Sequence, residues 1–323
     1  MKKQKNFWKS LKKPFFALAP MADVTDVAFR RIIAKHGKPD VFWTEFVSAD
    51  GLCSPGREVL LRDLGFTRAE RPIVAQLFSS RLDKMREAAA LCAELGFDGI
   101  DINMGCPDRS IEKQGSGAAM IRTPKKAREI IRAAKEGAPG LPVSVKTRIG
   151  YSKDEIATWV PELLAENIAA LTMHCRTRKE MSNVPARWEH MREVVHLRDA
   201  LAPETLVIGN GDVRNIADAR AKTAEYGVDG VMLGRAIFGN PWLFSEKTPS
   251  ISEKLLVMVE HTKLFEKLLG DIKSFAIMKK HYKAYVNGFD GAKELRADLM
   301  NARDAKEVGK IVRAFLKSRP DIK

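Results

Sequence analysis

The chain has 323 residues, of which 45% are hydrophobic, and it carries a formal net charge of +14. This length supports one large α/β domain plus a small one, and the apolar fraction excludes a disordered chain. Four cysteines stand far apart without a C-x-x-C pair. We therefore expect a reducing compartment, with neither a metal site nor a disulfide framework. No apolar run reaches membrane-spanning length and the lysine-rich N-terminus lacks a secretory apolar segment, so we expect a cytoplasmic protein without membrane contact.

Short apolar segments recur along the chain and predict eight strands. They span residues 15–20, 41–46, 73–78, 99–103, 143–147, 170–174, 206–210 and 230–234. Between them lie amphipathic patterns with capping residues that are typical of helices. The clearest of these cover residues 26–37, 81–96, 123–137, 154–167 and 215–227. Alternating strands and helices on this scale suggest a (β/α)8 barrel, with a doubly wound open sheet as the alternative.

Polar residues at the ends of the predicted strands favour the barrel. They are Gln76, Asn103, Lys146, His174 and Asn210. In a (β/α)8 barrel the carboxyl ends of all strands converge on one mouth, whereas in an open sheet they would be distributed along an edge. We therefore predict a barrel whose mouth carries the functional site.

The pattern changes after residue 244, where amphipathic helical stretches continue without a clear strand. We predict a barrel over residues 1–244 and a small helical domain over residues 245–323. The second segment carries 17 Lys and Arg residues against 11 Asp and Glu residues. Such a surplus attracts polyanions, although basic helix faces are also common on proteins that bind none.

Glycine-rich loops follow the last two predicted strands, in "GNGDV" (209–213) and "GRAIFGNP" (234–241). Loops after strands 7 and 8 of a barrel commonly form a phosphate site. Gly211 and Gly234 allow backbone N–H groups to approach an anion, and Arg235 adds a positive charge. Lys146 and His174 end neighbouring strands opposite these loops. Together the two groups suggest a flavin, with its phosphate at one end and its electron-rich ring edge near the lysine.

Cys106 lies in "NMGCP", directly after the fourth predicted strand. A nucleophilic cysteine needs an adjacent base, and its sequence neighbours offer none. A general acid needs only a protonated thiol that faces the substrate. Burial as a small apolar side chain is the commonest state of cysteine, and it suits Cys92, in a helical apolar pattern, better than Cys106.

At this point the chain resembles the tRNA-dihydrouridine synthases over nearly its whole length. The motifs that carry the resemblance occur in the family's order: "LAPMADVTDVAFR", "AQLF", "NMGCP", "KQGSGAAM", "VKTRIG", "HCRTR", "GNGDV", "GRAIFGNPW" and, in the tail, "MKKHYKAYVNGFDGAKELR". The resemblance implies a (β/α)8 barrel that binds FMN and a helical C-terminal domain that binds tRNA. It also implies reduction of the C5–C6 double bond of a D-loop uridine, with NADPH as reductant.

The resemblance further implies roles for individual residues. The FMN site would comprise Pro20, Met21, Gln76, Lys146, His174, Asn210, Gly211, Asp212, Gly234 and Arg235. Cys106 would give a proton to C5 of the uracil as reduced flavin delivers hydride to C6, and Asn103 would position the base. Contacts with the target base or the RNA would come from Lys113, Arg148 and Arg176, and from Lys279 and Lys280 in the basic tail. No Rossmann fingerprint is present, so we expect nicotinamide to bind transiently over the flavin.

Two other functions share parts of this pattern. An FMN barrel that reduces a free pyrimidine, like a dihydroorotate dehydrogenase, would keep the flavin site but leaves the basic helical tail unexplained. A noncatalytic RNA-binding protein would not need Lys146 or Cys106, and both are present. We expect an enzyme that works as a monomer and needs no protein partner. Cys175 and residues 179–188 depart from the family's usual pattern and bear on which uridine is chosen.

Overall fold

The computed structural model describes residues 6–320 and divides them into two compact units. The barrel unit comprises residues 6–21, 40–64 and 71–234. The helical unit comprises residues 22–39, 65–70 and 235–320. The boundary therefore crosses the chain several times, and residues from the first predicted helix group with the C-terminal helices.

The barrel unit is built on eight parallel strands among the described residues. They are β1 (Phe15–Leu18), β2 (Phe42–Ser48), β3 (Ile73–Phe78), β4 (Gly99–Met104), β5 (Val143–Arg148), β6 (Ala170–His174), β7 (Leu206–Asn210) and β8 (Gly230–Leu233). Each strand from β2 to β8 pairs with the next in sequence, and β8 pairs with β1. A bridge between Ala17 and Val41 connects the two ends of this order, beside β1 and β2. The predicted barrel is confirmed.

Thirteen α-helices accompany these strands in residues 6–320. They are α1 (Val27–His36), α2 (Ala49–Leu52), α3 (Arg57–Asp63), α4 (Leu82–Glu94), α5 (Arg109–Lys113), α6 (Pro124–Gly137), α7 (Ile156–Leu164), α8 (Met191–Leu201), α9 (Ile216–Tyr226), α10 (Ile251–Leu269), α11 (Met278–Tyr285), α12 (Ala292–Asn301) and α13 (Ala305–Ser318). The five clearest helical patterns in the sequence each contain one of these helices. Local caps explain their starts: Asp26 accepts a hydrogen bond from the Phe29 N–H at 2.9 Å, and Asn215 accepts one from Asp218 at 2.8 Å.

An apolar cluster fills the barrel near the amino ends of its strands. It includes Trp8, which precedes β1, and Phe15 and Trp43 from the first two strands. The Trp8 ring lies 5.7 Å from Trp43 and 6.0 Å from Phe15, measured between ring centroids. Full burial of such side chains contributes about 1.5–3 kcal/mol each. Because the apolar side chains occupy this end, the polar residues are left to the carboxyl ends of the strands.

The helical unit contains α1 and the helices from α10 onward, and α1 packs against α10. Lys35 forms an ion pair with Glu260 at 2.7 Å across these two helices. Arg30, fully buried on α1, donates to Glu70 at 3.0 Å and to the Thr25 carbonyl at 2.9 Å. Within residues 6–320, no helix combines the length and the apolar character needed to cross a membrane. The assignment of residues 1–244 to catalysis and 245–323 to tRNA binding stays a prediction.

Candidate active site

The strand register brings the predicted polar residues together at the carboxyl end of the barrel. Asn103 on β4 is level with Lys146 on β5. Arg148 is level with His174, and His174 is level with Asn210 on β7. Residues from four neighbouring strands thus share one short stretch of the mouth, as parallel strands with matched register require.

The loop that carries Cys106 is fixed by hydrogen bonds from several sides. The Asn103 side-chain oxygen accepts from the backbone N–H groups of Gly105 and Cys106, at 3.1 and 2.9 Å. The Cys106 carbonyl accepts from the Ala118 N–H at 2.9 Å. Gly117, with φ of +62°, allows this approach, because a Cβ there would lie 2.7 Å from the Cys106 carbonyl oxygen. The loop therefore holds its half-buried thiol in a defined place.

The Cys106 thiol is held in its protonated form. Burial raises its pKa, and the nearby charge of Asp108 acts in the same direction. The positive charges of Arg148 and Lys146 and a backbone hydrogen bond lower the pKa, but the net shift is upward. A thiol with a raised pKa is a proton donor at neutral pH rather than a nucleophile.

Lys146 supplies a positive charge at the mouth. Burial of the ammonium, followed by repulsion from Arg148, lowers its pKa to about 8. Among residues 6–320 this ammonium makes no hydrogen bond or ion pair, and the negative charge of Asp101 is the first of the influences that favour its protonated form. An ammonium in this state suits an anionic or electron-rich ligand.

A buried carboxylate beneath the mouth was missed in the sequence. Asp101 on β4 is fully buried and is level with Gln76 on β3 and Ser144 on β5. Its oxygens accept hydrogen bonds from the Gln76 amide and the Ser144 hydroxyl, each at 2.6 Å. The available signal was a charged residue inside the apolar strand "GIDIN", two positions before Asn103 and hence on the same side of the strand.

The arginines expected to face RNA or the target base are bound within the protein. Arg148 donates to the Gly105 carbonyl at 2.7 Å and to the carbonyls of Thr177 and Met181, and burial lowers its pKa to about 10. Arg176 is 2% exposed and is paired with Asp212. Their proposed contacts with RNA stay predictions. Lys113, at the end of α5, is exposed.

Arg178 connects the loop after β6 to the helix that follows Cys106. Its Nε lies 2.9 Å from both carboxylate oxygens of Glu112 on α5, and its Nη2 lies 3.3 Å from the Pro107 carbonyl. The sequence pattern alone assigns Arg178 no role. The structure shows that it braces the loop that holds the thiol.

The two glycine loops predicted to hold phosphate differ in whether the fold itself requires glycine. Gly211 has a φ of +129°, which other residues rarely adopt, and its carbonyl accepts from the Trp188 indole at 2.8 Å. A Cβ on Gly234 would meet only Ala19 and Met21, each at an ordinary 3.7 Å. Packing inside the barrel unit thus does not demand glycine at 234, and the space is open to a ligand.

The remaining predicted site residues have the following positions. Pro20 and Met21 are half-buried after β1, Asn210 donates to the Met232 carbonyl at 2.8 Å, and Arg235 is exposed in the helical unit. Lys279 and Lys280 lie on α11, half-exposed and exposed respectively. The residue that follows them, His281, is buried. One face of α11 is therefore basic and the other belongs to the core of the helical unit.

One group of potential metal ligands occurs in the described part of the chain. It consists of Asp154, His190 and Glu193, whose ligand atoms lie within 4.8 Å of one another. His190 Nδ1 lies 3.0 Å from the Asp154 carboxylate. The residues are exposed or half-exposed, and a surface contact between His190 and Asp154 accounts for the arrangement.

The fold and the mouth define a (β/α)8-barrel protein with a polar site at the carboxyl ends of its strands. Solved structures with a similar fold include morphinone reductase, with a TM-score of 0.54 and 14% identity over 74% of this chain and 86% of that one. Histamine dehydrogenase from Rhizobium sp. 4-9 has a TM-score of 0.53 and 14% identity, over 77% of this chain and 48% of that one. At this identity the likeness concerns the fold alone.

Sequence comparison is more specific. The family model for dihydrouridine synthase (Dus) matches residues 17–319. A probable tRNA-dihydrouridine synthase of Staphylococcus aureus is 43% identical over 97% of this chain and 96% of its own length. A probable tRNA-dihydrouridine synthase 2 of Bacillus subtilis is 43% identical over 96% of both chains. The chain belongs to the dihydrouridine synthase family.

Proposed function

We propose that this protein is a tRNA-dihydrouridine synthase that reduces the C5–C6 double bond of a D-loop uridine, with FMN as cofactor and NADPH as reductant. Family membership sets the reaction class. The observation that carries the proposal is the Cys106 thiol, which has a raised pKa and sits on a braced loop next to Asn103. That arrangement suits a group that gives one proton to a carbon atom of a positioned base.

The residues at the mouth fit FMN. The unpaired ammonium of Lys146 suits the electron-rich edge of the flavin ring. The open space beside Gly234 and the unusual backbone of Gly211 suit the phosphate, with Arg235 as a further candidate. Pro20, Met21, Gln76, His174, Asn210 and Asp212 complete the proposed cofactor site. The assignment rests on these positions and on the resemblance of the surrounding motifs.

The chain's own residues account for the proton. Reduced FMN, when bound, supplies the hydride that adds to C6 of the uracil. Cys106 gives its thiol proton to C5 and becomes a thiolate, which then regains a proton from water. Arg148 and Lys146 stabilise that thiolate, because both of their positive charges lower the pKa of Cys106. Asn103 holds the base through its side-chain amide while its oxygen holds the Cys106 loop.

Binding of tRNA rests on charge. The net charge of +14 favours phosphate contacts, and Lys279 and Lys280 on α11 are the proposed contacts of the helical region. Lys113, Arg148 and Arg176 are the proposed contacts nearer the base. The uridine must leave its stacked position to reach a thiol at the mouth of a barrel. We further propose that the protein acts in the cytoplasm as a monomer without a protein partner.

Nucleoside mass spectrometry tests the proposal directly. The gene is expressed in a strain that lacks all of its own dihydrouridine synthases, and dihydrouridine is mapped in the tRNA. The expected result is dihydrouridine at a D-loop position, absent from the strain with an empty vector. Purified flavin-loaded protein that reduces free uracil or orotate but leaves tRNA unmodified would instead support the free-pyrimidine reductase and overturn this assignment.

A further inference from the structure

We propose that Asp101 is a positioning residue that sets the hydrogen-bond direction of Gln76 and Asn103, and thereby fixes which groups the mouth presents to the substrate. The proposal deepens the proposed function and rests on it for the identity of the substrate. Its structural part concerns only contacts within the barrel unit. The observation that carries it is a continuous series of hydrogen bonds from Asp101 through Gln76 and Asn103 to the Cys106 loop.

The first link lies between β3 and β4. The Asp101 carboxylate accepts from the Gln76 Nε2 at 2.6 Å, and an ionised carboxylate can only accept. The amide nitrogen of Gln76 must therefore face Asp101, which leaves its oxygen for the other side. There the Gln76 oxygen accepts from the Asn103 Nδ2 at 3.1 Å.

The far end of the chain imposes the same direction. The Asn103 oxygen accepts from the backbone N–H groups of Gly105 and Cys106, and backbone N–H groups can only donate. A carboxylate at one end and two amide donors at the other thus allow one orientation of both side-chain amides. Asn103 retains one N–H donor, which suits a carbonyl oxygen of the pyrimidine ring and disfavours a protonated ring nitrogen.

Ionisation of Asp101 links this chain to Lys146. Burial raises the pKa of Asp101 to about 6, against the lowering effect of the hydrogen bonds from Ser144 and Gln76, so the carboxylate is ionised at neutral pH. Its negative charge raises the pKa of Lys146, which burial has lowered. Removal of that charge should lower the pKa of Lys146 further. The carboxylate therefore sets hydrogen-bond direction and supports a positive charge at the same mouth.

Three variants separate these effects. Asp101→Ala removes both the acceptor and the charge. Asp101→Asn removes the charge but can keep the direction, because its oxygen can face Gln76 while its nitrogen faces the Ser144 hydroxyl, which accepts as well as donates. Ser144→Ala removes a hydrogen bond from the same carboxylate on the side away from Gln76, and serves as the matched control.

The rate at which iodoacetamide alkylates Cys106, in protein without flavin or tRNA, reports how firmly the loop holds the thiol. All variants carry Cys53→Ala, so that this second half-buried thiol does not react. We expect Asp101→Ala to change the alkylation rate at least roughly tenfold, because the loop amides lose a fixed acceptor. Asp101→Asn and Ser144→Ala should stay within about threefold of the parent. Equal effects of Asp101→Ala and Ser144→Ala, or no effect of Asp101→Ala, would overturn the proposal.

The pH dependence of FMN binding tests the link to Lys146. In the parent protein, FMN affinity should fall as pH rises past about 8, where Lys146 loses its proton. In Asp101→Asn the fall in FMN affinity should begin at lower pH. A pH midpoint equal to that of the parent would contradict an effect of the Asp101 charge on Lys146. The contrast between Asp101→Asn and Ser144→Ala in this titration decides the charge effect alone. If Asp101→Ala does not fold, Gln76→Met replaces it in the alkylation experiment, because it removes the hydrogen bonds to Asp101 and Asn103. Absence of tRNA reduction by the parent protein, with both readouts as expected, would instead point to failure of the proposed function.

Discussion

The mouth of the barrel and the interior of the helical unit both bury polar side chains, but they treat them differently. At the mouth, Asp101, Gln76 and Asn103 are hydrogen-bonded to one another and to the Cys106 loop. In the helical unit, His261 on α10 and His281 on α11 are fully buried, and neither ring nitrogen of either residue has a hydrogen-bond partner among the described residues. Buried polar side chains are therefore hydrogen-bonded at the mouth, whereas these two in the helical unit are only packed.

Aromatic packing surrounds the two histidines, which we call the imidazole pair. The ring of His261 stacks on Phe29 of α1 at a centroid distance of 4.6 Å and meets His281 edge-on at 4.7 Å. His281 also lies 5.8 Å from the ring of Phe238. Burial lowers the pKa of His281 to about 3 and that of His261 well below its usual value, so both are neutral.

The difference shows what a buried polar network does when it is complete. Satisfied hydrogen bonds with fixed direction hold functional groups in one arrangement, which is what a reacting site needs. Buried imidazoles without partners act as packing groups, and they make the fold sensitive to their protonation. Replacement of the half-buried Cys106 at the mouth should thus alter chemistry at little cost in stability, whereas acid should lower stability through the helical unit.

The largest effect is expected at the mouth, from Cys106→Ala. Loss of a general acid typically costs about 10²–10⁴-fold in rate. We expect single-turnover oxidation of the reduced flavin by tRNA to slow by that amount, with FMN and tRNA affinities retained. The measurement is stopped-flow absorbance of the flavin after mixing with tRNA.

Cys53→Ala is the matched control for this prediction, because Cys53 is also a half-buried thiol of the barrel unit. It should reduce tRNA at the parent rate. If the flavin of Cys106→Ala were reoxidised as fast as that of the parent, Cys106 would not be the general acid. The contrast between polar groups that take part in the reaction at the mouth and polar groups that only pack in the helical unit would then fail.

The imidazole pair should make the protein sensitive to acid. In the unfolded chain each imidazole titrates near pH 6.5, whereas in the fold both stay neutral to much lower pH. The unfolded state therefore binds more protons as pH falls below 6.5, and stability is lost. At pH 5 the loss should be about 2 kcal/mol for each histidine, hence about 4 kcal/mol for the pair, relative to pH 7.5.

Urea unfolding at both pH values measures this loss, followed by circular dichroism. The double variant His261→Phe with His281→Phe should lose most of the pH-dependent difference, whatever its stability at neutral pH. His196→Gln is the control, because His196 on α8 is exposed. If the double variant kept the parent's full acid sensitivity, carboxylates rather than the imidazole pair would be its source.

The smallest effect is expected from substitutions on the basic face of α11, opposite the face that carries the buried His281. Lys279→Glu with Lys280→Glu should weaken tRNA binding roughly ten- to a hundredfold at moderate salt and reduce the log–log salt slope by about two. The flavin spectrum should not change. Fluorescence titration with labelled tRNA at several salt concentrations measures both quantities.

Lys9→Glu with Lys12→Glu makes the same change in net charge near the amino ends of the barrel strands, where both lysines precede β1. This control should reduce tRNA affinity far less. Equal losses of tRNA affinity in the two double variants would show that net charge governs binding. The basic face of α11 would then not be a distinct RNA-binding surface.

The sequence alone determined the strands, the principal helices, the barrel and the polar residues at the carboxyl ends of its strands. These follow from local information: apolar runs, capping residues and polar residues at strand ends. It missed short helices such as α2 and α5 and the longer α8, whose stretches carry weaker patterns. It also left α12 without a boundary of its own.

Only the tertiary structure decided how the side chains are used. Gln76, Asp101 and Ser144 meet because three strands align, although 25 residues separate Gln76 from Asp101 and 43 separate Asp101 from Ser144 along the chain. Arg176 looked like an RNA contact, yet its charge is buried against Asp212. Helix α1 groups with α10 across more than two hundred residues of sequence. Residue type and spacing specify which groups are available, whereas hydrogen-bond direction, burial and pKa depend on neighbours that only the folded chain brings together.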